Sequence, residues 1–140
     1  DSYVHGYEFN VTSNKVICSI GYQSQAAVAG QLYKIELIDN TTGTTLYNTN
    51  STFSSSATSY VSVPNITVQA GHNYIIRRTL LNDLGSVMNR IGRLATSSSY
   101  SISFPYTSGV LHITGARFDS NTTPATLSNI GLPYIDIVFQ

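Results

Sequence analysis

The clearest strand-and-turn pattern of the chain lies in residues 32–48, LYKIELIDNTTGTTLYN. In its first half, three apolar residues alternate with Lys34 and Glu36, which is the period of a strand with one buried face. Residues 39–43 then supply Asp, Asn and Thr side chains that can bond to their own main chain, and a glycine that tolerates positive φ. This combination predicts a hairpin whose second strand, 44–48, returns antiparallel.

Similar short runs rich in Val, Ile, Tyr, Phe and Thr recur along the chain between clusters of Gly, Asn, Ser and Pro. Such punctuated runs are typical of strands, and helical periodicity is almost absent. About nine strands are expected, drawn from 3–11, 16–22, 32–38, 44–48, 59–63, the short 66–68, 74–81, 100–104, 110–116 and 134–139. Residues 82–99 differ, and we expect a long excursion there with a short helical turn.

The number and spacing of these strands indicate how they pack. Nine antiparallel strands bury their apolar faces most economically as two stacked sheets, because a single open sheet would leave one apolar face in water. The absence of crossover helices argues against a parallel-sheet fold. We therefore predict an all-β fold, a two-sheet antiparallel β-sandwich of jelly-roll-like type, and the 140 residues suit one domain, 1–140.

The composition bounds the partners. Charged residues make up 10% of the chain, well below the quarter that is usual, and the net charge is zero, so we expect no nucleic-acid partner. No apolar run approaches the roughly 20 residues of a membrane-spanning helix. The single Cys18 excludes an internal disulfide framework. Abundant Ser, Thr and Asn are typical of exported β domains, so we expect an extracellular or cell-surface location, with any export signal removed or outside this sequence.

Several short motifs together resemble a known group of proteins. They are 6–9 (GYEF), 20–22 (IGY), 33–37 (YKIEL), 42–44 (TGT), 68–74 (VQAGHNY) and 132–136 (LPYID). In this order they resemble uncharacterised bacterial secreted β-sandwich domains of cell-surface and polysaccharide-associated proteins, whose strands run like those of jelly-roll carbohydrate-binding modules. The resemblance spans most of the chain and implies a sandwich fold and a glycan-related role.

The most site-like group in the sequence is a set of arginines and asparagines around the 82–99 segment. Arginine forks bind carboxylates or sugar hydroxyls bidentately, which makes the group a candidate ligand site. Its members are Arg77, Arg78, Asn82, Asn89, Arg90 and Arg93. The alternative is a segment held to the sheet by local pairing with Asp83.

Tyrosine is unusually frequent, with ten residues against five phenylalanines. Its flat apolar face and hydroxyl suit stacking on sugar rings or a wet protein interface. We expect Tyr22, Tyr47, Tyr60, Tyr100 and Tyr106 to be exposed, and we take the first three as candidate ligand contacts. The alternative is that tyrosines on a solvated sheet edge need no ligand.

The acidic residues and histidines offer weaker sites. Glu8 and Asp136 lie on terminal strands that we expect to be sheet neighbours, so they are candidate ligands of a structural calcium ion, the alternative being an exposed pair of strand carboxylates. No other cofactor is expected. Glycoside hydrolysis needs two carboxylates, and no spacing in the chain singles out a pair. His5, His72 and His112 lack metal-ligand spacing and are expected to be singly exposed or hydrogen-bonded.

These features lead to a ranked set of functions. The first is a non-catalytic extracellular binding or accessory domain whose ligand is a glycan or polysaccharide. The second is a structural or adhesive sandwich that contacts a cell-surface protein through its tyrosine-rich face. The third and weakest is a glycoside-acting hydrolase whose carboxylates converge only in three dimensions.

Overall fold

The structure is a computed structural model that describes residues 4–82, 94–95, 102–119 and 131–140. Within these residues the chain forms eleven strands and one turn of 3-10 helix, Ala26–Val28. The strands are β1 Val4–Val11, β2 Lys15–Tyr22, β3 Tyr33–Asp39, β4 Thr44–Ser51, β5 Ser59–Val68, β6 Tyr74–Leu80, β7 Leu94–Ala95, β8 Tyr106–Ser108, β9 Leu111–Asp119, β10 Leu132–Pro133 and β11 Ile135–Phe139. In this part of the chain no helix is long and apolar enough to cross a bilayer.

Two antiparallel sheets build the sandwich. The large sheet has six strands in the order β4-β3-β6-β1-β9-β8, and the small sheet has three in the order β11-β2-β5. Strands β10 and β7 form a separate two-stranded ladder. The predicted all-β sandwich is therefore confirmed, although the described residues contain eleven strands where about nine were expected.

The strand bounds depart from the prediction at two places. Strand β5 continues through Pro64, because β5 lies at a sheet edge where the missing N–H is not needed by a neighbour. The positive φ of Asn65, 35°, accompanies a register shift against β2 at this point. Residues 102–104, expected in a strand, lie outside one, and β8 begins after the cis bond between Phe104 and Pro105.

Three strands were not predicted at all. Strands β7, β8 and β10 are two or three residues long, too short to show any periodicity. Residues 94–95, expected within a long excursion, instead form β7 and pair with β10. The helical turn expected at 82–99 falls outside the described residues.

Alternate residues of both sheets point into one core, as the pleat of a strand requires. In β1, Tyr7, Phe9 and Val11 are 3% exposed or less, whereas Glu8 on the opposite face is half-buried. Burying an aliphatic or aromatic side chain of this kind contributes about 1.5–3 kcal/mol, so such a core holds the sheets together without a disulfide. The buried cluster is Tyr7, Phe9, Val11, Ile17, Ile20, Tyr22, Val28, Tyr33, Ile35, Leu37, Phe53, Val63, Val68, Tyr74, Ile76, Leu80, Ile113 and Ile135.

Tyrosine hydroxyls tie the two sheets to each other. On one side of the sandwich Tyr47 of β4 donates to the carbonyl of Ser62 in β5 at 3.0 Å, which joins two edge strands. Inside the sandwich Tyr7 donates to the carbonyl of Ile135 in β11 at 2.8 Å. On the opposite side the edge strands β8 and β11 do not pair with each other, and a groove opens between them.

Candidate functional site

A groove on this open side is a concave feature lined by described residues beside the core. It has a volume of about 430 Å³ and lies between β8 and β9 of the large sheet on one side and β11 of the small sheet, with β10 of the two-stranded ladder, on the other. We call it the open-side groove. Its lining residues are Tyr7, Ala95, Tyr106, Ser108–Leu111, Ile113 and Leu132–Ile137 with Phe139.

The lining of the open-side groove combines an apolar floor with polar aromatic walls. Ile113 and Tyr7 at the floor are 3% and 1% exposed. Tyr106 on β8 is 47% exposed and Tyr134, just before β11, is 42% exposed, so both rings remain accessible. Asp136 of β11 adds a solvent-exposed carboxylate. The arrangement can offer ring faces, hydroxyls and one charged acceptor to a ligand.

A third accessible tyrosine adjoins the groove on the outer face of the small sheet. The strand register places Gly21 between Tyr60 and Asp136. The Tyr60 ring lies over Gly21 so closely that a Cβ at Gly21 would come within 2.5 Å of the ring Cε1 atom. Its hydroxyl donates to Oδ2 of Asp136 at 2.9 Å, and the ring stays 53% exposed.

The electrostatics of this row keep the Tyr60 hydroxyl protonated. The hydrogen bond to Asp136, and then the charge of that carboxylate, raise the pKa of Tyr60, and the nearby Tyr134 adds a smaller effect in the same direction. The hydroxyl therefore remains a hydrogen-bond donor at neutral pH. As a result Tyr60 and Asp136 act as one unit that spans the small sheet.

The described members of the arginine–asparagine group, Arg77, Arg78 and Asn82, do not come together in one site. Arg77 and Arg78 point to opposite faces of β6, as the strand alternation predicts. Arg77 lies on the outer face of the large sheet, where its Nε donates to Glu36 at 2.8 Å, and Lys34 contacts the other oxygen at 2.8 Å. Burial disfavours the charge on Glu36, but these two cations outweigh it and lower the pKa of that carboxyl.

Arg78 and Tyr22 are interior residues, which corrects the expectation that Tyr22 is exposed. Each is 1% exposed, and the Arg78 guanidinium lies 5.6 Å from the ring centres of Tyr22 and Tyr33. Its Nη2 donates to Nδ1 of His5 at 2.7 Å. Because an arginine always donates, Nδ1 of His5 must be the unprotonated ring nitrogen. Arg78 is buried because β6 carries it on the same face as Tyr74 and Ile76, which face the core.

The other predicted ligand residues are scattered. Tyr47 is half-buried and joins β4 to β5 through its hydroxyl, so it serves the fold. Asn82 is exposed, and its amide donates to the side chain of Gln31 at 2.8 Å. Tyr60 is exposed as expected. Four residues lie outside the described part of the chain, namely Asn89, Arg90, Arg93 and Tyr100.

Glu8 and Asp136 are not sheet neighbours, which corrects the predicted calcium pair. Glu8 lies in the large sheet and forms an ion pair with Arg117, whereas Asp136 lies in the small sheet beside Tyr60. Terminal strands of a sandwich can join different sheets, because each pairs with the strand that best buries its apolar face. Among the described residues no group of three or more His, Cys, Asp or Glu side chains converges on a metal position.

The three histidines are hydrogen-bonded one by one, which confirms their interpretation. Their partners are on neighbouring strands or at a turn, and each pair is a local contact within the fold. The pairs are His5 with Arg78, His72 with Asp39 and His112 with Thr107.

One candidate site residue was not predicted from the sequence, although a signal for it was present. Tyr134 lines the open-side groove and was not among the tyrosines expected to be exposed. It stands two positions before Asp136, and residues two apart in extended chain share a face. The alternation of Ile135 and Ile137 against Asp136 therefore already indicated that Tyr134 faces outward.

Comparison with known proteins identified no relative of this chain. No protein-family model, no curated protein and no solved structure matches the chain.

Proposed function

We propose that this chain is a non-catalytic glycan-binding domain of an extracellular protein, and that the open-side groove is its binding site. One observation carries the proposal: two accessible tyrosines, Tyr106 and Tyr134, flank an apolar-floored groove of about 430 Å³ that Asp136 also lines. The volume lies within the range of about 300–1,000 Å³ that is usual for small-ligand sites. The Ser-, Thr- and Asn-rich composition supports the extracellular location.

The chemistry of the lining matches the chemistry of a sugar. A pyranose ring has an apolar C–H face and a rim of hydroxyls, and a tyrosine ring with its hydroxyl can meet both. Rigid aromatic side chains also lose little conformational entropy when they bind. A carboxylate oxygen accepts from two neighbouring hydroxyls with charge-assisted strength. The open-side groove supplies these groups on a sandwich whose strands hold them in place.

The described groove favours binding over hydrolysis. The two-carboxylate mechanism requires a second carboxyl group about 5–10 Å from the first. Among the described lining residues, Asp136 is the one carboxylate. Glu8, Glu36 and Asp39 are each engaged with a basic side chain elsewhere. For this reason we propose a domain without catalytic activity of its own.

The test is a binding measurement with groove variants. Affinity electrophoresis in gels that contain soluble polysaccharides identifies a ligand, and calorimetry then measures its affinity for the wild type, Tyr134→Ala and Tyr106→Ala. We expect each variant to bind about tenfold more weakly, which corresponds to about 1.4 kcal/mol per tyrosine. Leu32→Ala is the matched control, because Leu32 is a similarly exposed apolar residue, at 37%, outside the groove. Unchanged affinity in both tyrosine variants would contradict the proposal.

A second candidate function, adhesion to another protein, is favoured by the two edge strands beside the groove. Strands β8 and β11 each have a neighbour on one side only among the described residues, and half-buried Leu111, Ile137 and Phe139 lie between them. Exposed edges of this kind can accept a strand from a partner. Sedimentation at increasing concentration separates the two candidates: self-association that Ile137→Lys abolishes, without glycan binding, favours adhesion.

A further inference from the structure

We infer that Tyr60 and Asp136 extend the open-side groove onto the outer face of the small sheet and make the site select uncharged sugars over sugars that carry carboxylates. This inference rests on the proposed function and specifies its ligand class. It depends on a row of three residues from three adjacent strands, Tyr60, Gly21 and Asp136.

The first step is the position of the Tyr60 ring against Gly21. A Cβ at Gly21 would come within 2.5 Å and 2.7 Å of two ring carbons of Tyr60, so the ring occupies the space that any other residue would fill. The Cδ1–Cε1 edge of the ring therefore packs against the main chain of β2 at Gly21. With 53% of the residue exposed, much of the ring is accessible to a sugar that stacks on it.

The second step is the anchoring of the ring at its tip. The hydroxyl of Tyr60 donates to Oδ2 of Asp136 at 2.9 Å. Packing at one end and a hydrogen bond at the other fix both side-chain angles before a ligand arrives, which lowers the entropic cost of binding. Asp136 also lines the open-side groove together with Tyr134, so the Tyr60 surface is continuous with the groove.

The third step concerns the charge at this surface. Asp136 contributes a negative charge that is exposed to solvent. The described cations lie elsewhere: on the outer face or in the interior of the large sheet, and at the far end of β2. They are Lys15, Lys34, Arg77, Arg78 and Arg117. A uronic acid placed on Tyr60 would meet a like charge, whereas a neutral sugar can donate its hydroxyls to the same carboxylate.

The experiment compares neutral and acidic polysaccharides on one set of variants. The probes are soluble β-glucan, mannan, xylan and galactan as neutral polymers, with polygalacturonate and alginate as acidic ones. We expect the wild type to bind at least one neutral polymer and to bind the acidic polymers at least about tenfold more weakly at low ionic strength. Asp136→Asn keeps an acceptor for the Tyr60 hydroxyl but removes the charge. It should therefore reduce the difference in affinity between neutral and acidic polymers.

Two further variants test the ring itself. Tyr60→Ala should weaken binding of the preferred polymer about tenfold, because one sugar ring loses the aromatic ring on which it stacks. Gly21→Ala should weaken it similarly, because the new methyl group displaces the ring although Gly21 contributes no side chain to a ligand. Tyr60→Phe retains the ring and should lose less affinity than Tyr60→Ala. Circular dichroism verifies the fold of each variant, and Leu32→Ala again serves as the control.

The outcomes separate this inference from the proposed function. If Tyr134→Ala abolishes binding while Tyr60→Ala and Gly21→Ala leave it unchanged, the groove binds glycans and the Tyr60 inference is overturned. If the wild type binds acidic polymers as tightly as neutral ones, the charge selection is overturned. If the wild type binds none of the six polymers, both the proposed function and this inference fail.

Discussion

Replacing Tyr7 with phenylalanine removes a single hydroxyl from between the two sheets. That hydroxyl belongs to a residue that is 1% exposed, and it donates to the carbonyl of Ile135 at 2.8 Å. Phenylalanine keeps the ring and its edge-on contact with Phe9. The buried carbonyl loses a donor, which costs about 1–3 kcal/mol of unfolding free energy. With an unfolding entropy of about 2.1 cal/mol/K per residue over 140 residues, a cost of about 1.5 kcal/mol lowers Tm by about 5 °C.

The same substitution has a distinct effect on alkaline stability. Burial, and to a lesser degree the charge of Asp136, raises the pKa of Tyr7 far above its ordinary value of about 10. A raised pKa contributes stability that is complete below the unfolded pKa and is lost as the pH rises above it, because only the unfolded tyrosine releases its proton. This loss amounts to about 1.4 kcal/mol by pH 11 for the wild type. Tyr7→Phe lacks this hydroxyl and does not show the loss, so the two proteins should have nearly equal free energies of unfolding near about pH 11.

Urea unfolding followed by circular dichroism at pH 7, 9, 10 and 11 measures both effects in one experiment. The remaining tyrosines ionise in both proteins and cancel in the difference. Tyr47→Phe is the matched control: its hydroxyl also donates to a carbonyl of the other sheet, at 3.0 Å, but it is half-buried, so water replaces it at a cost below about 1 kcal/mol. A Tyr7→Phe difference that is absent at pH 7, or equally large at pH 7 and pH 11, would refute this reasoning.

Three other substitutions probe the large sheet and its turn. Gly6→Ala should cost about 1–3 kcal/mol in urea unfolding, because its Cβ would lie 2.3 Å from the main-chain oxygen of Ile76; a neutral result would mean that the strands can separate locally. Burial opposes the charge on Asp39, but His72 and two turn amides lower its pKa, so Asp39→Asn should cost about 1–2 kcal/mol of unfolding free energy at pH 7 and progressively less as the pH falls through the lowered pKa of the wild-type carboxyl. A gap that persists at low pH in acid unfolding would contradict this. Two cations also lower the pKa of Glu36, so Glu36→Gln should lose about 1 kcal/mol of unfolding free energy at low salt and less at 1 M salt. Equal losses in calorimetric scans at both salt concentrations would argue against an ionic contribution.

Residues on one strand show how far sequence reasoning reached into the site. The strand alternation of β6 puts Arg77 and Arg78 on opposite faces, as it does any two consecutive residues. It did not say which face would be buried, because both faces of β6 carry apolar residues as well as an arginine. The two described arginines of the expected site are therefore separated: Arg77 forms an outer ion pair, and Arg78 is an interior cation near Tyr22.

For Tyr60 and Asp136, on the two edge strands of the small sheet, the sequence predicted single residues but not their contact. Tyr60 was expected to be exposed and is, because its strand alternates simply. Its partner Asp136 is 76 positions away, and no local pattern links the two. Asp136 was instead paired in prediction with Glu8, which lies in the other sheet. The candidate site was therefore only partly predictable, through its individual residues and not through their combination.

By itself the sequence determined that this chain is an antiparallel β-sandwich and which side chains of a strand share a face. Those properties follow from the pleat of the backbone and the alternation of apolar residues, and both act over a few positions. Among the described residues, the tertiary structure alone decided which strands became edges, which edge strands stayed unpaired with each other and that Tyr60 reaches Asp136 across Gly21. The physical reason is that strand order depends on burying the apolar surface of the whole chain at once, a condition that no single segment contains.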